Sequence, residues 1–308
     1  MKIIKYLIMS IICSILIINN CNAVENKILF KVNNEIITSQ DILNELIYLR
    51  IINKEFQQIE KEKAFEVSKN SLIREKIKEV EIKRLIKEIK IDDKIMNNLI
   101  LTYFKEFGIK SSSEFEIFFK NRNLNPNLIR KKISLEFLWN QLIFSKYNKN
   151  VKIDKDLIRK NLTKKKKQEE FLISEILFNV NENENLDTKY NLIKNSIENI
   201  NFSQTALVYS ISDSAKKGGN LGWIPETVLT EKIYKKIKNL NIGEYTNPIL
   251  VPGGFLILKI LDVRKIEKKI DLNKEIKKII SEKTNQQLNR FSNIYFNKVQ
   301  KEVLINEL

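Results

Sequence analysis

The chain has 308 residues, a formal charge of +16 at pH 7 and no histidine. Its length suits two domains, since a soluble domain commonly holds roughly 100–200 residues. The lack of histidine excludes histidine triads, histidine acid–base catalysis and most zinc sites, so we expect no metal and no cofactor. Lysine is spread along the chain rather than gathered in one basic arm. We therefore favour codon bias as the source of the charge, with an anionic partner as the alternative.

The first residues are typical of a secretion signal. Lys2 and Lys5 precede an apolar run at residues 7–18, which is short for a membrane span. A small-residue cleavage site ends at Ala23, and both cysteines of the chain precede it. We predict a signal peptide at residues 1–23, cleaved after Ala23, and hence the periplasm if the source is Gram-negative. An uncleaved membrane anchor or a lipid attachment is the alternative, so the favoured reading has no stable membrane anchor.

Residues 24–165 predict a mainly helical domain behind one pair of short strands. The strand pair is expected at residues 28–38, around the turn-prone Asn33-Asn34. Amphipathic spacing and capping residues then predict several helices, which begin near Thr38, Glu60, Asp92, Ser113, Pro126 and Asp154. The charge run "TKKKKQEE" at residues 163–170 is expected to be a solvated linker or a helix end.

The pattern changes after the charge run. The pattern over residues 169–264 predicts a compact α+β domain. Its strands are expected at residues 171–178, 248–251 and 253–263, and its helices at residues 186–200, 202–209 and 227–240. Residues 265–308 return to helix over 272–288 and 299–305 and are expected to pack on the N-terminal domain. The closing "VLINEL" is alternatively a strand that pairs with the N-terminal strands. The predicted fold class is therefore α+β.

Three of the seven glycines lie in "YSISDSAKKGGNLGW" at residues 209–223. The stretch is not a phosphate-binding loop, because no Gly-Lys-Ser/Thr ending follows it. It is similar to the parvulin motif S-x-x-x-S-A-x-x-G-G-D-L-G-W, with Asn220 in place of its aspartate. "SEILF" at residues 174–178 and "LNIGEYTNPILVPGGFLILKI" at 240–260 resemble the first strand and the end of that family's domain. We therefore interpret residues 169–264 as a parvulin-like (PpiC) peptidyl-prolyl isomerase domain.

The helical half is similar to the N-terminal region of SurA-type periplasmic chaperones. "KVNNEIITSQDI" at residues 31–42 matches that family's V-N-x-x-x-I-T-x-x-D pattern. The resemblance implies a foldase that binds unfolded outer-membrane proteins, or peptides with aromatic and proline residues, and that needs no ATP. We expect no nucleic-acid partner, because the signal directs the protein away from nucleic acid and no recognition module is apparent in the sequence.

The resemblance also gives the positions that decide isomerase activity. Parvulins place histidines on their first and last strands, and the matching positions here hold Glu175 and Leu256. The polar position in the serine-rich part of the motif corresponds to Ser212, with Asp213 beside it. Because both histidines are replaced, we assign no catalytic residue and predict weak or lost isomerase activity. The alternative is an active isomerase in which Glu175, Ser212 or Asp213 supplies the polar groups.

The resemblance further implies the residues that contact a substrate. The family's two apolar prolyl-pocket residues correspond to Leu229 and Ile233, and its threonine before the final turn corresponds to Val251. Trp223 and Phe255 complete the predicted substrate-binding set. Peptide binding is expected to persist on these apolar groups even where the polar half of the site is lost.

Overall fold

A computed structural model describes residues 26–164, 167–180, 184–267 and 272–308, so the expected signal peptide lies outside the described residues. The helices of this part of the chain are α1 (Ser39–Ile52), α2 (Lys61–Lys83), α3 (Asp93–Tyr103), α4 (Ser112–Lys120), α5 (Pro126–Tyr147), α6 (Lys155–Lys164), α7 (Leu186–Asn199), α8 (Phe202–Tyr209), α9 (Glu231–Ile237) and α10 (Leu272–Lys301). The strands are β1 (Ile28–Val32), β2 (Glu35–Thr38), β3 (Lys167–Phe178), β4 (Asn220–Pro225), β5 (Ile249–Val251), β6 (Gly254–Glu267) and β7 (Ile305–Glu307). The predicted α+β class is confirmed.

The smaller sheet joins the two ends of the described chain. Its order is β2-β1-β7, and both pairings are antiparallel. Asn33 takes a φ of 50° in the β1–β2 turn, a left-handed conformation that asparagine tolerates. Its backbone N–H donates to the carbonyl oxygen of Leu304 at 2.9 Å, beside β7. The alternative strand assignment of the last residues is confirmed for Ile305–Glu307.

The helical half packs around Trp139 of α5. The indole is fully buried, and its Nε1 donates a hydrogen bond of 2.8 Å to the hydroxyl of Ser292 on α10. Phe30 and Val32 of β1 and Tyr295 of α10 belong to the same apolar core. The long C-terminal helix thus packs against the elements that begin the described chain.

The larger sheet is antiparallel, with the order β4-β3-β6-β5. Helix α9 covers one face, where Ile233 and Ile237 pack on strand residues such as Leu177. Helices α7 and α8 cover the other face, where Ile193 and Phe202 pack on its strands. The buried apolar residues of β3 therefore alternate between two separate apolar layers, as the alternation of side chains along a strand requires.

The larger sheet also docks on the helical half. Leu207 of α8 is buried in a cluster with Leu49 of α1 and Phe56. Beside this cluster, the side-chain amide of Asn53 donates to the carbonyl oxygen of Lys216 at 3.1 Å. These contacts bring the serine-rich loop of the glycine motif against helices α1 and α2.

Several boundaries differ from the sequence prediction. The apolar spacing in the sequence predicts a helix from about Glu60 to Lys90, but α2 ends at Lys83, although Ile86 and Ile89 still pack on the helical core. Helix α9 spans only Glu231–Ile237 of the expected 227–240, and α10 runs unbroken over its 30 residues. No helix of the described residues combines the length and apolarity that crossing a bilayer requires.

The expectation that residues 163–170 form a solvated linker or a helix end is also partly wrong. Strand β3 begins at Lys167, and Gln168 and Glu170 are buried. Arg264 of β6 pairs with Glu170 across the sheet at 2.6 Å, between Nη2 and a carboxylate oxygen. The strand extends into the charged sequence because its neighbour β6 is long enough to pair with it.

Candidate functional site

The glycine motif lies directly on β3 at Glu175. Gly219 has a φ of +77°, and a Cβ built there would lie 2.1 Å from the backbone oxygen of Glu175. The backbone N–H of Glu175 donates to the Gly219 carbonyl oxygen at 2.8 Å. Only glycine permits both this conformation and this approach. The motif therefore fixes the loop against the strand that carries the first candidate position.

Glu175 is the centre of a small hydroxyl cluster. The Ser212 hydroxyl donates to its Oε1 at 2.5 Å, and the Ser214 hydroxyl donates to the same oxygen at 2.8 Å. Burial raises the pKa of Glu175 above its usual value, although both serine hydrogen bonds and Arg290 of α10 oppose the shift. The structure thus brings together Glu175 and Ser212, two of the positions predicted from the sequence.

Asp213 belongs to a different network, which faces the helical half. Its Oδ1 lies 3.3 Å from Nζ of Lys78 and 3.9 Å from Nη2 of Arg74, both on α2. Attraction to Lys78 lowers the pKa of Asp213 to about 2. Lys78 is itself buried and also pairs with Glu136 of α5 at 2.8 Å. Asp213 therefore ties the loop to the helices, and no direct hydrogen bond joins it to Glu175 within the described chain.

Leu256 is buried in the apolar layer beneath α9. It lies opposite Leu177 in the β3–β6 pairing and belongs to the same cluster as Leu229 and Ile233. The wall behind Glu175 is consequently aliphatic, with no polar side chain at the second family position.

The remaining predicted substrate contacts are divided between the two faces of the sheet. Val251 is half-buried and packs against the layer of Leu256. Phe255 packs on the opposite face and stacks on Phe178, with ring centroids 5.8 Å apart. Trp223 lies on β4 beneath the guanidinium of Arg264, which is 4.1 Å from the ring centroid. Phe255 and Trp223 thus lie away from the wall that Leu256 and Leu229 share.

A cleft of about 740 Å³ opens beside Leu229. It lies between the segment that leads into α9, the first turn of α6 and the face of α10 that carries Arg290. Its apolar lining comprises Ile153, Leu157, Ile158, Val228, Leu229, Pro252, Phe291 and Ile294. Leu157 and Ile294 are exposed, which places apolar surface at the rim of the cleft. Ile233 lies deeper and does not line it.

Sequence reasoning missed Ser214 of the motif and the residues that approach the site from outside the parvulin-like segment. Ser214 lies within the quoted motif, and its hydroxyl was the only local signal of a second donor to Glu175. Lys78 and Arg290 are ordinary-looking basic residues of long helices, so nothing in the local sequence marks them. In the described ranges, no group of three or more Cys, Asp or Glu residues is arranged to hold a metal ion.

The comparison with protein families identifies the segment that carries this site. Residues 175–262 match the model described as "Rotamase: PPIC-type PPIASE domain". They are a parvulin-type domain. The match begins at Glu175 and includes the glycine motif, the α9 segment and Leu256.

Curated relatives extend the likeness beyond this domain. The chain is 24% identical over 187 residues to a "Chaperone SurA" from Pseudomonas fluorescens, covering 57% of this chain and 44% of the relative. It is 25% identical over 213 residues to the "Chaperone SurA" from Pectobacterium atrosepticum, covering 59% of this chain and 49% of the relative. The protein is thus SurA-like with a parvulin domain, and it spans about half the length of these relatives.

Two solved structures also align with parts of this chain. A PpiC-type isomerase domain matches at 29% identity with a TM-score of 0.27, covering 31% of this chain and 92% of that one. A Campylobacter jejuni structure, from work on PEB4 and the periplasmic protein Cj1289 as "SurA-like chaperones", matches at 15% identity with a TM-score of 0.36. That alignment covers 92% of this chain and 99% of the other.

Proposed function

We propose that this protein is a periplasmic chaperone that binds unfolded outer-membrane proteins, and that its parvulin domain has weak or no isomerase activity. The observation that carries the proposal is the composition of the parvulin site. Its two histidine positions hold Glu175 and Leu256, while Leu229, in the same apolar cluster as Leu256, lines a large cleft with apolar and charged side chains. Such a site favours retention of peptides over turnover. The similarity to SurA-type chaperones suggests the class of client.

The weak isomerase activity follows from what the reaction needs. Rotation about an X–Pro bond must overcome amide resonance, with a barrier of about 18–20 kcal/mol for a peptide bond. An enzyme lowers the barrier by stabilising the twisted amide more than the planar one, through an apolar cup and fixed polar groups. Leu256 offers no polar atom, and Glu175 is engaged by two serine hydroxyls. The aliphatic wall of the site remains, whereas one of the two polar positions of the family's site is absent.

A holdase assay tests the chaperone function. The chain from Val24 onward should suppress aggregation of an unfolded β-barrel outer-membrane protein diluted from urea, measured by light scattering at equimolar ratio. An inert protein of similar size and positive charge is the control, because the strongly positive charge of the chain alone attracts anionic clients. Suppression no better than that of the control would overturn the proposal.

An isomerisation assay separates the proposal from its alternative. The hydroxyl cluster at Glu175 is the observation that favours an active enzyme, since Ser212 and Ser214 hold a half-buried carboxyl in the site. We expect turnover of a tetrapeptide X-Pro substrate at least about 100-fold below that of an active parvulin, the range of a lost polar group. Full turnover, abolished by Glu175→Ala or Ser212→Ala with holdase activity intact, would instead establish the isomerase.

The proposed location has its own test. The n-region, apolar run and small-residue site at residues 1–23 support export and cleavage after Ala23. The intact mass of the protein from the periplasmic fraction of its host should correspond to a chain that starts at Val24. A full-length mass in the membrane fraction would favour the anchored alternative.

A further inference from the structure

Two cations on one face of α10 line the cleft beside the parvulin domain. Lys283 and Arg290 are both half-buried there. The Lys283 ammonium donates to the carbonyl oxygen of Val228 at 3.1 Å, and Arg290 has only long-range attraction from Glu175. Within the described residues, no ion pair joins either cation to a carboxylate. Their positive charge therefore faces the open volume without direct compensation.

The pKa shifts of both cations are those expected of charges that lack a carboxylate partner. Burial lowers the pKa of Lys283, and the nearby Arg290 lowers it further. Burial also lowers the pKa of Arg290, against the attraction of Glu175. A partly desolvated cation with too few anionic partners is less stable than in water. A ligand carboxylate placed in the cleft would relieve this cost.

The carboxylates of the cleft do not pair with these two cations, and each has a contact elsewhere. Asp154 accepts a hydrogen bond of 2.8 Å from the backbone N–H of Leu157 in the first turn of α6. Glu226 accepts from the backbone N–H of Glu169 at 3.4 Å, and Glu231 pairs with Lys235 at 2.6 Å. The cleft thus has acidic groups on its α6 and parvulin sides and free positive charge on its α10 side. A third cation, Lys152, lies at the lining as well.

The spacing of the two cations indicates an extended ligand. Lys283 and Arg290 are seven positions apart, which is about 10 Å along a helix at a rise of 1.5 Å per residue. An extended segment of the polyproline II type rises about 3.1 Å per residue with three residues per turn, so side chains three positions apart lie on the same side at about 9 Å. One free carboxyl terminus would reach only one of the two cations, whereas two acidic side chains of an extended segment match both.

We propose that the cleft selects extended client segments in which acidic side chains flank apolar ones, with Lys283 and Arg290 as the residues that determine this specificity. The apolar side chains pack on Val228 and Leu229, and the carboxylates pair with the two cations of α10. This inference rests on the proposed chaperone function, and it assigns the client preference to a helix outside the parvulin domain.

Fluorescence anisotropy with labelled, end-capped peptides tests the proposal on the chain from Val24 onward. One peptide carries two Glu residues three positions apart in an aliphatic and aromatic sequence, and its matched partners carry Gln or Lys at both positions. We expect the Glu peptide to bind about 10-fold more tightly than the Gln peptide, which corresponds to about 1.4 kcal/mol. The Lys peptide should bind most weakly, and the preference should diminish with added salt.

A double variant locates the preference. Lys283→Gln with Arg290→Gln should equalise the Glu and Gln peptides, whereas Lys277→Gln with Lys298→Gln, at exposed positions of the same helix, should keep their difference. Equal binding of the two peptides by the unaltered protein would overturn the proposal, as would a preference that survives in the folded double variant. The proposal would also be overturned if a Gln peptide with a free carboxyl terminus bound as tightly as the Glu peptide.

The two hypotheses fail in distinguishable ways. If the unaltered protein binds the Glu and Gln peptides equally and suppresses aggregation, the chaperone function stands and the acidic preference is wrong. If it binds none of the peptides and suppresses no aggregation, both are wrong. The comparison between peptides uses only the unaltered protein, so it does not depend on the folding of any variant.

Discussion

Lys78 of α2 and Asp213 of the serine-rich loop form an ion pair, with Nζ 3.3 Å from Oδ1, across the junction between the helical half and the parvulin domain. The same ammonium lies 2.8 Å from a carboxylate oxygen of Glu136 and 5.5 Å from the ring centroid of Trp139. Burial acts against the charge of Lys78, but Asp213 and Glu136 outweigh it and raise its pKa. The loop residue that follows Ser212 thus docks the parvulin domain on the helical half.

Replacing this cation should destabilise the protein. Lys78→Met leaves Glu136 and Asp213 without their shared partner, and we expect a loss of about 2–4 kcal/mol in the free energy of unfolding by urea. The value is at the lower end for a buried pair, because both carboxylates keep contact with solvent. The control is Lys235→Met, which removes the exposed pair with Glu231 and should cost under about 1 kcal/mol. Equal losses for the two variants would show that the Lys78 contacts contribute little.

Glu79 of α2 should control acid stability. Its side chain is 1% exposed and pairs with Lys131 at 2.8 Å, Lys83 at 2.9 Å and Lys76 at 3.1 Å. Burial opposes its charge, but these lysines outweigh it and lower its pKa from 4.5 to about 2. A depressed carboxyl pKa contributes stability that is complete above pH 4.5 and is lost as the pH falls towards 2.

The size of this effect follows from the shift, which corresponds to on the order of 3 kcal/mol. Unfolding free energies measured between pH 6 and pH 2 should therefore decrease less steeply for Glu79→Gln than for the unaltered protein. Glu62→Gln, at an exposed position of the same helix, should keep the original slope. Parallel profiles for the Glu79 variant and the unaltered protein would contradict the prediction.

The two glycines Gly219 and Gly108 form a matched pair for testing the close approach of the motif to β3. Both have a φ of +77°, but a Cβ at Gly219 would meet the Glu175 backbone oxygen at 2.1 Å, whereas nothing lies within 4 Å at Gly108. Gly108→Ala should cost about 1 kcal/mol for the strained backbone alone. Gly219→Ala should cost at least about 2 kcal/mol more, measured by urea unfolding, because a strand backbone cannot yield as a side-chain tip does. A similar cost for both would mean that the loop moves away freely.

Much of the local structure follows from the sequence. Thr38 accepts from the backbone N–H of Asp41, and the Asp41 carboxylate accepts in return from the N–H of Thr38 at 2.8 Å, so the predicted capping box begins α1. The glycine loop and the helices and strands expected around it are also present, whereas strand β4 (Asn220–Pro225) was not among the expected strands. These features depend on residues close together in the chain, where conformational preference and hydrogen bonding act directly.

The contacts between distant elements could not be predicted in the same way. Strand β3 begins within a charge run that has no apolar alternation, and Glu170 of this run pairs with Arg264 of the distant strand β6. The cleft depends on how α10 lies against the parvulin domain, and Arg290 reaches it from a helix that begins after the domain ends. In each case the decisive partner is remote, so the local pattern carries no signal of it.

The pairing of β7 with β1 also has a consequence for how the protein is made. Leu304 and Asn33 bond to each other across 271 residues of sequence. Closing so long a loop costs chain entropy before the contact contributes any stability, and such non-local pairing slows folding. A polypeptide that is synthesised from its N-terminal end therefore leaves one edge of β1 unpaired until β7 has been made. Biosynthesis of this protein thus passes through a stage in which it displays an open strand edge, the kind of surface that molecular chaperones protect.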